Sequence, residues 1–351
     1  MERKELVQLL EKYCNLNGIS GFENEIRENL KNDLREYVDE IKVDKFGNIM
    51  GIKYGKDREK KLMLAAHMDE VGLIVKLIDK NGFIRFSKIG GIDDRVLLSQ
   101  PVLILTEKGP VRGIIGSKPP HIQKEAERAK AIPIDKLFID VGADSKEECE
   151  KMGIKIGDPV VFDFKASTLG EHKFCGKALD DRAGCVELIA VAEQLAGEET
   201  EHTIYFVGTV QEEVGLRGAR VAAYAIYPNV AIAVDVTIAG GVPGLTEYEA
   251  PVKMGNGPTI VVEDRGLITH PKVLSWIVKI AEENKIKYQL ETGLTGTTDA
   301  AAMSLVRAGV PAGVISVPTR YIHSAPCMID LRDIEETIKL ITKCCLEKLP
   351  L

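Results

Sequence analysis

The sequence predicts an α/β protein whose sheet is mostly parallel, with helices on both faces and a small all-β insertion within it. Three observations carry this. Continuous apolar runs at 62–66, 203–210 and 230–234 have the length of strands buried on both faces, and they alternate with helical patterns. From about residue 71 to 165 that alternation stops, and short β-type runs follow one another across turn signals. Acids and histidines collect at the ends of the apolar runs, and open α/β sheets bind ligands outside the carboxyl ends of their strands. The economical division is one α/β domain made of residues 1–70 and 166–351, with residues 71–165 as a β insertion.

The chain opens with a helical pattern over 5–16. A second helix is expected from Ser20, whose spacing to Glu23 reads as a capping box, to about Val38. Alternation over 41–54, around Phe46-Gly47-Asn48, predicts a hairpin, and the run 62–66 predicts a strand ending at His67-Met68-Asp69-Glu70. In the insertion, runs at 73–78, 83–89, 102–106, 111–116, 137–141 and 159–164 predict a small barrel-like unit with one helix near 145–152. Asn81-Gly82 is its strongest hairpin cue. Beyond 165 the expected order is helix 181–196, strand 203–210, helix 215–225, strand 230–234, helices 272–284 and 299–308, strand 312–317 and helix 330–348.

Composition excludes several classes. Apolar residues are 45% and charged residues 28% of the chain, enough for a packed core. The 46 Lys and Arg against 53 Asp and Glu give a formal net charge of -7 with no basic cluster, which is not a nucleic-acid footprint. No apolar run approaches a membrane span, and the charged start Met1-Glu2-Arg3-Lys4 lacks a signal-peptide core. The expectation is a soluble, cytoplasmic protein with neither nucleic-acid nor membrane partners. Its 7 cysteines, odd in number and without C-x-x-C spacing, support neither a disulfide framework nor a thiolate metal site.

The chemistry is expected on one rim. His67 and Asp69 follow the run 62–66, Glu212 and Glu213 follow 203–210, and Asp235 ends 230–234. His323 lies beyond 312–317, and Asp180-Asp181 stand at a helix entrance. Two imidazoles and several carboxylates without thiolate suit Zn, Co or Mn. Two imidazoles cannot fill one tetrahedral shell, yet the carboxylates are too many for one ion. Two ions about 3.5–4 Å apart, sharing a carboxylate, use the set economically. They also relieve the mutual repulsion of the acids, and one carboxylate is left over as a general base.

The motifs His67-Met68-Asp69-Glu70-Val71-Gly72, Ala178-Leu179-Asp180-Asp181-Arg182-Ala183-Gly184, Gln211-Glu212-Glu213-Val214-Gly215, Ala233-Val234-Asp235 and Tyr321-Ile322-His323-Ser324 resemble, in order, those of the TET-type aminopeptidases. The resemblance runs over essentially the whole chain. It implies a co-catalytic dinuclear metallopeptidase that removes N-terminal residues from short peptides. It further implies a zinc-peptidase-like domain split by a PDZ-like or barrel-like dimerisation domain, and a hollow dodecamer built from dimers. Two Zn or Co ions per subunit are implied, with His67 and Asp235 as terminal ligands of one, and Glu213 and His323 of the other. Of Asp180 and Asp181, the family's bridge stands four residues before a glycine, here Gly184, which favours Asp180 as the shared ligand. Glu212 corresponds to the general base, and Asp69 to the acceptor of the second imidazole N–H of His67.

Plainer readings stand beside these. A lone strand-end Asp is more often a helix cap, which suits Asp181 and Asp330. Glu212-Glu213 would ordinarily be a solvated turn, and as glycosidase acids they are poor because adjacent residues in extended chain point apart. His121, His172, His202 and His270 read as surface or half-buried; His121, beside Pro119-Pro120 in the insertion, is the one placed to overhang the site. Residues 170–178 lack phosphate-loop spacing and read as an ordinary turn, and no G-x-S-x-G elbow is present. Residues 293–299 balance a helix cap against a pocket wall. The rival functions are a dinuclear carboxypeptidase or deacylase, a non-catalytic metal-binding assembly scaffold, against which the intact Glu212 argues, and more distantly a glycanase.

Overall fold

The computed structural model describes residues 1–125, 130–293 and 295–351. Its framework is an 11-stranded sheet in the order Glu40–Val43, Ile49–Lys53, His202–Thr209, Asp57–His67, Val230–Ile238, Ala312–Arg320, Cys327–Asp330, Lys173–Gly176 and Ser167–Leu169. Thr259–Val261 and Gln289–Glu291 extend it sideways from Ala312–Arg320. The four central strands are mutually parallel, whereas both flanks are antiparallel. The parallel centre agrees with the sequence expectation. The short strands Ser167–Leu169, Lys173–Gly176, Thr259–Val261, Gln289–Glu291 and Cys327–Asp330 lie outside the sequence expectation, because three or four residues hold no readable periodicity.

Side-chain alternation divides the core in two. Leu62, Leu64 and Ala66 pack on one face with the helices Arg3–Asn15, Asn24–Leu34, Leu179–Gln194 and Leu331–Leu346. Met63 and Ala65 pack on the other with Arg217–Ile226 and Asp299–Ser304. Within Leu179–Gln194 every residue up to Ala192 is buried, which makes this helix an immobile base for the acids at its start.

The second helix is Asn24–Leu34 and is not capped by Ser20, a correction to the capping-box reading. Gly21, with φ +88°, turns the chain away, and the Ser20 hydroxyl donates instead to the Asp69 carboxylate at 2.6 Å. Glu23 accepts from the backbone N–H of Gly21 and of Gln211 at 2.7 and 3.1 Å. Both polar side chains are engaged in contacts around the rim, so the helix starts later.

The insertion forms a closed six-stranded barrel from Gly72–Ile78, Ile84–Ile89, Phe138–Asp140, Gly109–Gly116, Pro101–Thr106 and Pro159–Phe162. Val75, Ile84, Val102, Ile104, Ile139 and Val160 fill it. The helix expected near 145–152 is Lys146–Met152, and the Ser145 side chain caps it. Barrel and sheet meet closely. Ala325, two residues beyond His323, belongs to the barrel's core, and a Cβ on Gly91 would lie 3.1 Å from His323 Nδ1.

A close approach also fixes the turn that carries Glu212 and Glu213. Asn48 accepts from Val210 N–H and donates to the Gly218 carbonyl, both at 3.1 Å. A Cβ on Gly218 would stand 2.4 Å from Asn48 Oδ1 and from the Val210 carbonyl oxygen. Gly218→Ala is therefore expected to lower stability by about 1–3 kcal/mol, the usual cost of overpacking. Urea unfolding should show a reduced midpoint; an unchanged midpoint would contradict this packing argument. Among the described residues, no helix is long and apolar enough to cross a membrane, and all seven cysteines are buried and free.

Candidate metal centre

Strand register builds the rim. Thr209 pairs with His67 and Ala233 with Ala65, which sets Asp235 level with His67 across the sheet. Glu212 and Glu213 follow one strand, and His323 follows Ala312–Arg320 with φ +59°. Asp180 stands in the non-helical turn at the entrance of the buried helix. One of its oxygens, Oδ1, lies 3.0 Å from His67 Nε2, and the other, Oδ2, lies 3.2 Å from His323 Nε2. His323 Nε2 is also 3.2 Å from Glu213 Oε2. The ligand-type side chains thus form the groups His67–Asp180–Asp235 and Asp180–Glu213–His323, which share Asp180, and His67–Glu212–Glu213.

Asp181, the competing acid, faces elsewhere. Its carboxylate accepts from His67 N–H at 3.2 Å and from Gly184 N–H at 2.9 Å, the helix-entrance role expected of such a residue. A Cβ on Gly184 would lie 2.4 Å from Asp181 Oδ2, so this carboxylate's position requires the glycine.

Asp69 departs in detail from the expected role. His67 Nδ1 lies 3.0 Å from the main-chain carbonyl of Asp69 and 3.6 Å from its carboxylate. Both ring nitrogens face acceptors, Nδ1 the Asp69 carbonyl and Nε2 the Asp180 carboxylate; with a metal ion at Nε2, the proton would stay on Nδ1 and be donated to that carbonyl. The Asp69 carboxylate instead accepts from Glu212 N–H at 3.0 Å, Glu213 N–H at 3.2 Å and Ser20 Oγ. It ties the Glu212-Glu213 turn to the strand that bears His67.

The electrostatics are those of a buried acid surplus. Burial pushes Glu212 well above the usual carboxylate range, and the charges of Asp299, Asp235 and Glu213 add to the rise against the pull of His67. Burial likewise lifts Asp235 to about 8, with Asp180 adding to it and His67 opposing. Glu213 is raised by burial and by Asp180. Burial also works against ionisation of Asp180, but hydrogen bonds from His323 and His67 hold it well below the usual range. Burial would lower His323, yet Asp180 and Glu213 raise it to about 11.

Divalent cations fit these residues. The donor atoms stand 3.0–3.2 Å apart, close to the edge of about 3.3 Å expected for a tetrahedron with metal–ligand bonds near 2.0–2.1 Å. Glu213 Oε1 is buried and has no hydrogen-bond partner among the described residues, and so much buried acid calls for a compensating positive charge.

A cavity of about 740 Å³ opens over the centre, lined by His67, Asp180, Glu212, Glu213, Asp235 and His323 at one end. Residues 236–239, 242, 245, 295–298 and 319–322 supply other parts of its wall. Residues 47–340 match the M42 glutamyl aminopeptidase family. The chain belongs to that family. This M42 chain is a metal-dependent aminopeptidase, a hydrolase acting on peptides. It is 41% identical to the lysyl aminopeptidase of Pyrococcus furiosus over 97% of each chain. It superposes on an aminopeptidase from the archaeon Desulfurococcus kamchatkensis with a TM-score of 0.95 at 43% identity, covering 99% of this chain and 96% of that one. For the TET1 peptidase of Pyrococcus horikoshii, which can assemble into a tetrahedron or a large octahedral shell, the TM-score is 0.88 at 37% identity, covering 98% and 100%.

The M42 site also uses residues that the sequence reading passed over. Lys177, in the stretch read as an ordinary turn, is buried and holds Glu70 at 2.7 and 3.0 Å and the Leu16 carbonyl at 2.7 Å. Arg182, fully buried, reaches the Tyr13 and Gly18 carbonyls and the same Glu70. The three charges clamp the first interhelical segment beneath the rim. Asp299, its Oδ2 accepting from Thr209 Oγ1 at 2.5 Å, stands near Glu212, and burial raises it to about 6. Thr298 both caps its helix and lines the cavity, so the two readings of that loop hold together. His121 is exposed and is not a lining residue; from the barrel, Gly91 lines the cavity instead. His202 is buried in its strand and His270 caps a helix.

Proposed function

We propose that this M42 aminopeptidase works with two divalent ions per subunit, Zn or Co, held by His67 and Asp235 on one side and by Glu213 and His323 on the other. Asp180 is shared between them. The observation that carries this reading is the division of Asp180, one oxygen towards each imidazole at 3.0 and 3.2 Å. The ions, when bound, would acidify a water and polarise the peptide carbonyl. Glu212, at the cavity wall beside His67, is the carboxylate placed to accept a proton from the attacking water and to return it to the departing amine. Asp69 positions Glu212 through its backbone N–H. The acidic end of the cavity attracts a free α-amine, which confines cleavage to the N-terminus of short peptides.

Residues 71–165 serve, on this reading, as an oligomerisation insertion inside the catalytic domain of residues 1–70 and 166–351. Ile114 and Ile156 of this insertion are exposed apolar residues. Pairing of barrels gives dimers, and the assembly is a cytoplasmic dodecamer that admits short or unfolded peptides. Light scattering should give a mass near twelve subunits, and replacing residues 72–164 by a short Gly/Ser linker should abolish dimer formation. A full-length monomer that still cleaves short peptides well would refute the assembly while leaving the site intact.

The central test compares a free-amine dipeptide amide with its N-acetylated twin. Cleavage confined to the free amine is expected. Preferential cleavage of the acetylated substrate would favour a deacylase or carboxypeptidase at the same centre.

A further inference from the structure

One acid in the cavity wall has no part in the centre described above. Asp264 lies beyond Thr259–Val261, is 3% exposed and lines the cavity. Its Oδ1 accepts three hydrogen bonds, from the backbone N–H of Gly266 and Leu267 at 2.7 Å each and from the Thr297 hydroxyl at 3.1 Å. Its Oδ2 is buried and has no partner among the described residues. The surroundings are shaped to this arrangement. A Cβ on Gly266 would fall 2.5 Å from Thr297 Oγ1 and push that hydroxyl away from the carboxylate.

Three donors on one oxygen fix the plane of the carboxylate, so the free oxygen is an acceptor held in place before any ligand arrives. A buried carboxylate without a cation is costly, and a function that supplies the cation explains its retention. Val236, Ile238, Val242 and Leu245 give the same cavity an apolar stretch. A side chain with a methylene stem and a cationic head matches both features.

We propose that Asp264 is a specificity determinant for a basic first residue: its Oδ2 accepts a hydrogen bond from the ammonium of Lys or the guanidinium of Arg at the N-terminus of the peptide substrate. The proposal rests on aminopeptidase activity at the His67–His323 centre. Arg320, also on the wall, is the competing selector and would favour an acidic residue. It is only half-buried, and its one hydrogen bond in the cavity wall is a long one from Nη2 to the Gly241 carbonyl at 3.4 Å. Its Nε is buried and, like Asp264 Oδ2, has no partner among the described residues, but no set of contacts fixes the guanidinium as three donors fix the Asp264 carboxylate.

The test uses lysyl and norleucyl p-nitroanilides, which differ essentially in the ammonium group, and a glutamyl analogue. The metal-loaded wild-type enzyme should favour lysyl over norleucyl by about tenfold or more in kcat/KM, the scale of one charge-assisted hydrogen bond. Asp264→Asn retains Oδ1 and its donors, and should bring the ratio close to one. Calorimetric binding of L-lysinamide and L-norleucinamide to wild-type protein gives a second readout that needs neither turnover nor a folded variant; lysinamide should bind more tightly by a similar factor. Equal cleavage of the two anilides, equal binding of the two amides, an unchanged ratio in Asp264→Asn, or a preference for the glutamyl substrate would each overturn the proposal. If none of the anilides is cleaved, the hydrolytic reading fails, and the amide comparison still decides the role of Asp264.

Discussion

Dialysis against a strong chelator is expected to reduce peptide hydrolysis to background, and adding Co or Zn is expected to restore it. The reason is the economy of the donor set. His67 and His323 are the imidazoles of the cluster, and each stands against a different oxygen of Asp180. On the dinuclear reading, replacing either by Ala would remove the only imidazole of one ion, and replacing Asp180 by Ala would remove a ligand from both. Asp180→Ala should therefore lose activity by several orders of magnitude and should not recover when metal is added. The imidazoles bind a cation only when neutral, and with His323 raised to about 11 the metal must displace its proton, so metal retention should weaken steadily as the pH falls. Elemental analysis of active wild-type protein should find about two divalent transition-metal ions per subunit. Active protein free of such metal would end the dinuclear reading.

Much of this centre is legible in the sequence because parallel strands are short, apolar and followed at once by their functional residues. His67, Glu212, Glu213 and Asp235 each sit at the end of such a run, and the sheet's register does the rest by setting Thr209 and Ala233 beside their partners on the His67 strand. The supporting contacts are not legible in the same way. The Ser20 side chain meets Asp69 across 49 positions of sequence, and Lys177 meets Glu70 across 107. No local pattern marks such pairs. Ser20 and Glu23 carry the spacing of a helix cap, yet tertiary partners compete successfully for both side chains. Asp264 is silent for another reason. Its hydrogen bonds to Gly266 and Leu267 are those of any acidic turn residue, and only the cavity gives its second oxygen significance. The barrel's contribution was similarly hidden, since Gly91 matters through what it lacks: a side chain would crowd His323.

Glu212→Gln should separate the base from the metal ligands. The substitution keeps the length and shape of the side chain, and the backbone N–H that Asp69 holds at 3.0 Å is untouched. Glutamine cannot accept and return a proton, so kcat should fall by roughly 10²–10⁴, the usual contribution of a positioned general base. Metal content should stay near wild type, because His67, Asp180, Glu213, Asp235 and His323 all remain. Glu213→Gln should behave differently. Its carboxylate stands 3.2 Å from His323 Nε2, and its loss should lower metal content and activity together. Asp69→Asn supplies a third pattern. The carboxylate accepts from the backbone N–H of both glutamates at 3.0 and 3.2 Å, so its loss should displace base and ligand at once, and added metal should restore activity only in part. Elemental analysis beside kcat in the three variants checks the assignment. A Glu212→Gln enzyme working within about threefold of wild type, against the much larger loss expected for a missing base, would transfer the proton to Glu213 or to solvent hydroxide. A Glu212→Gln enzyme that lost its metal would make Glu212 a ligand.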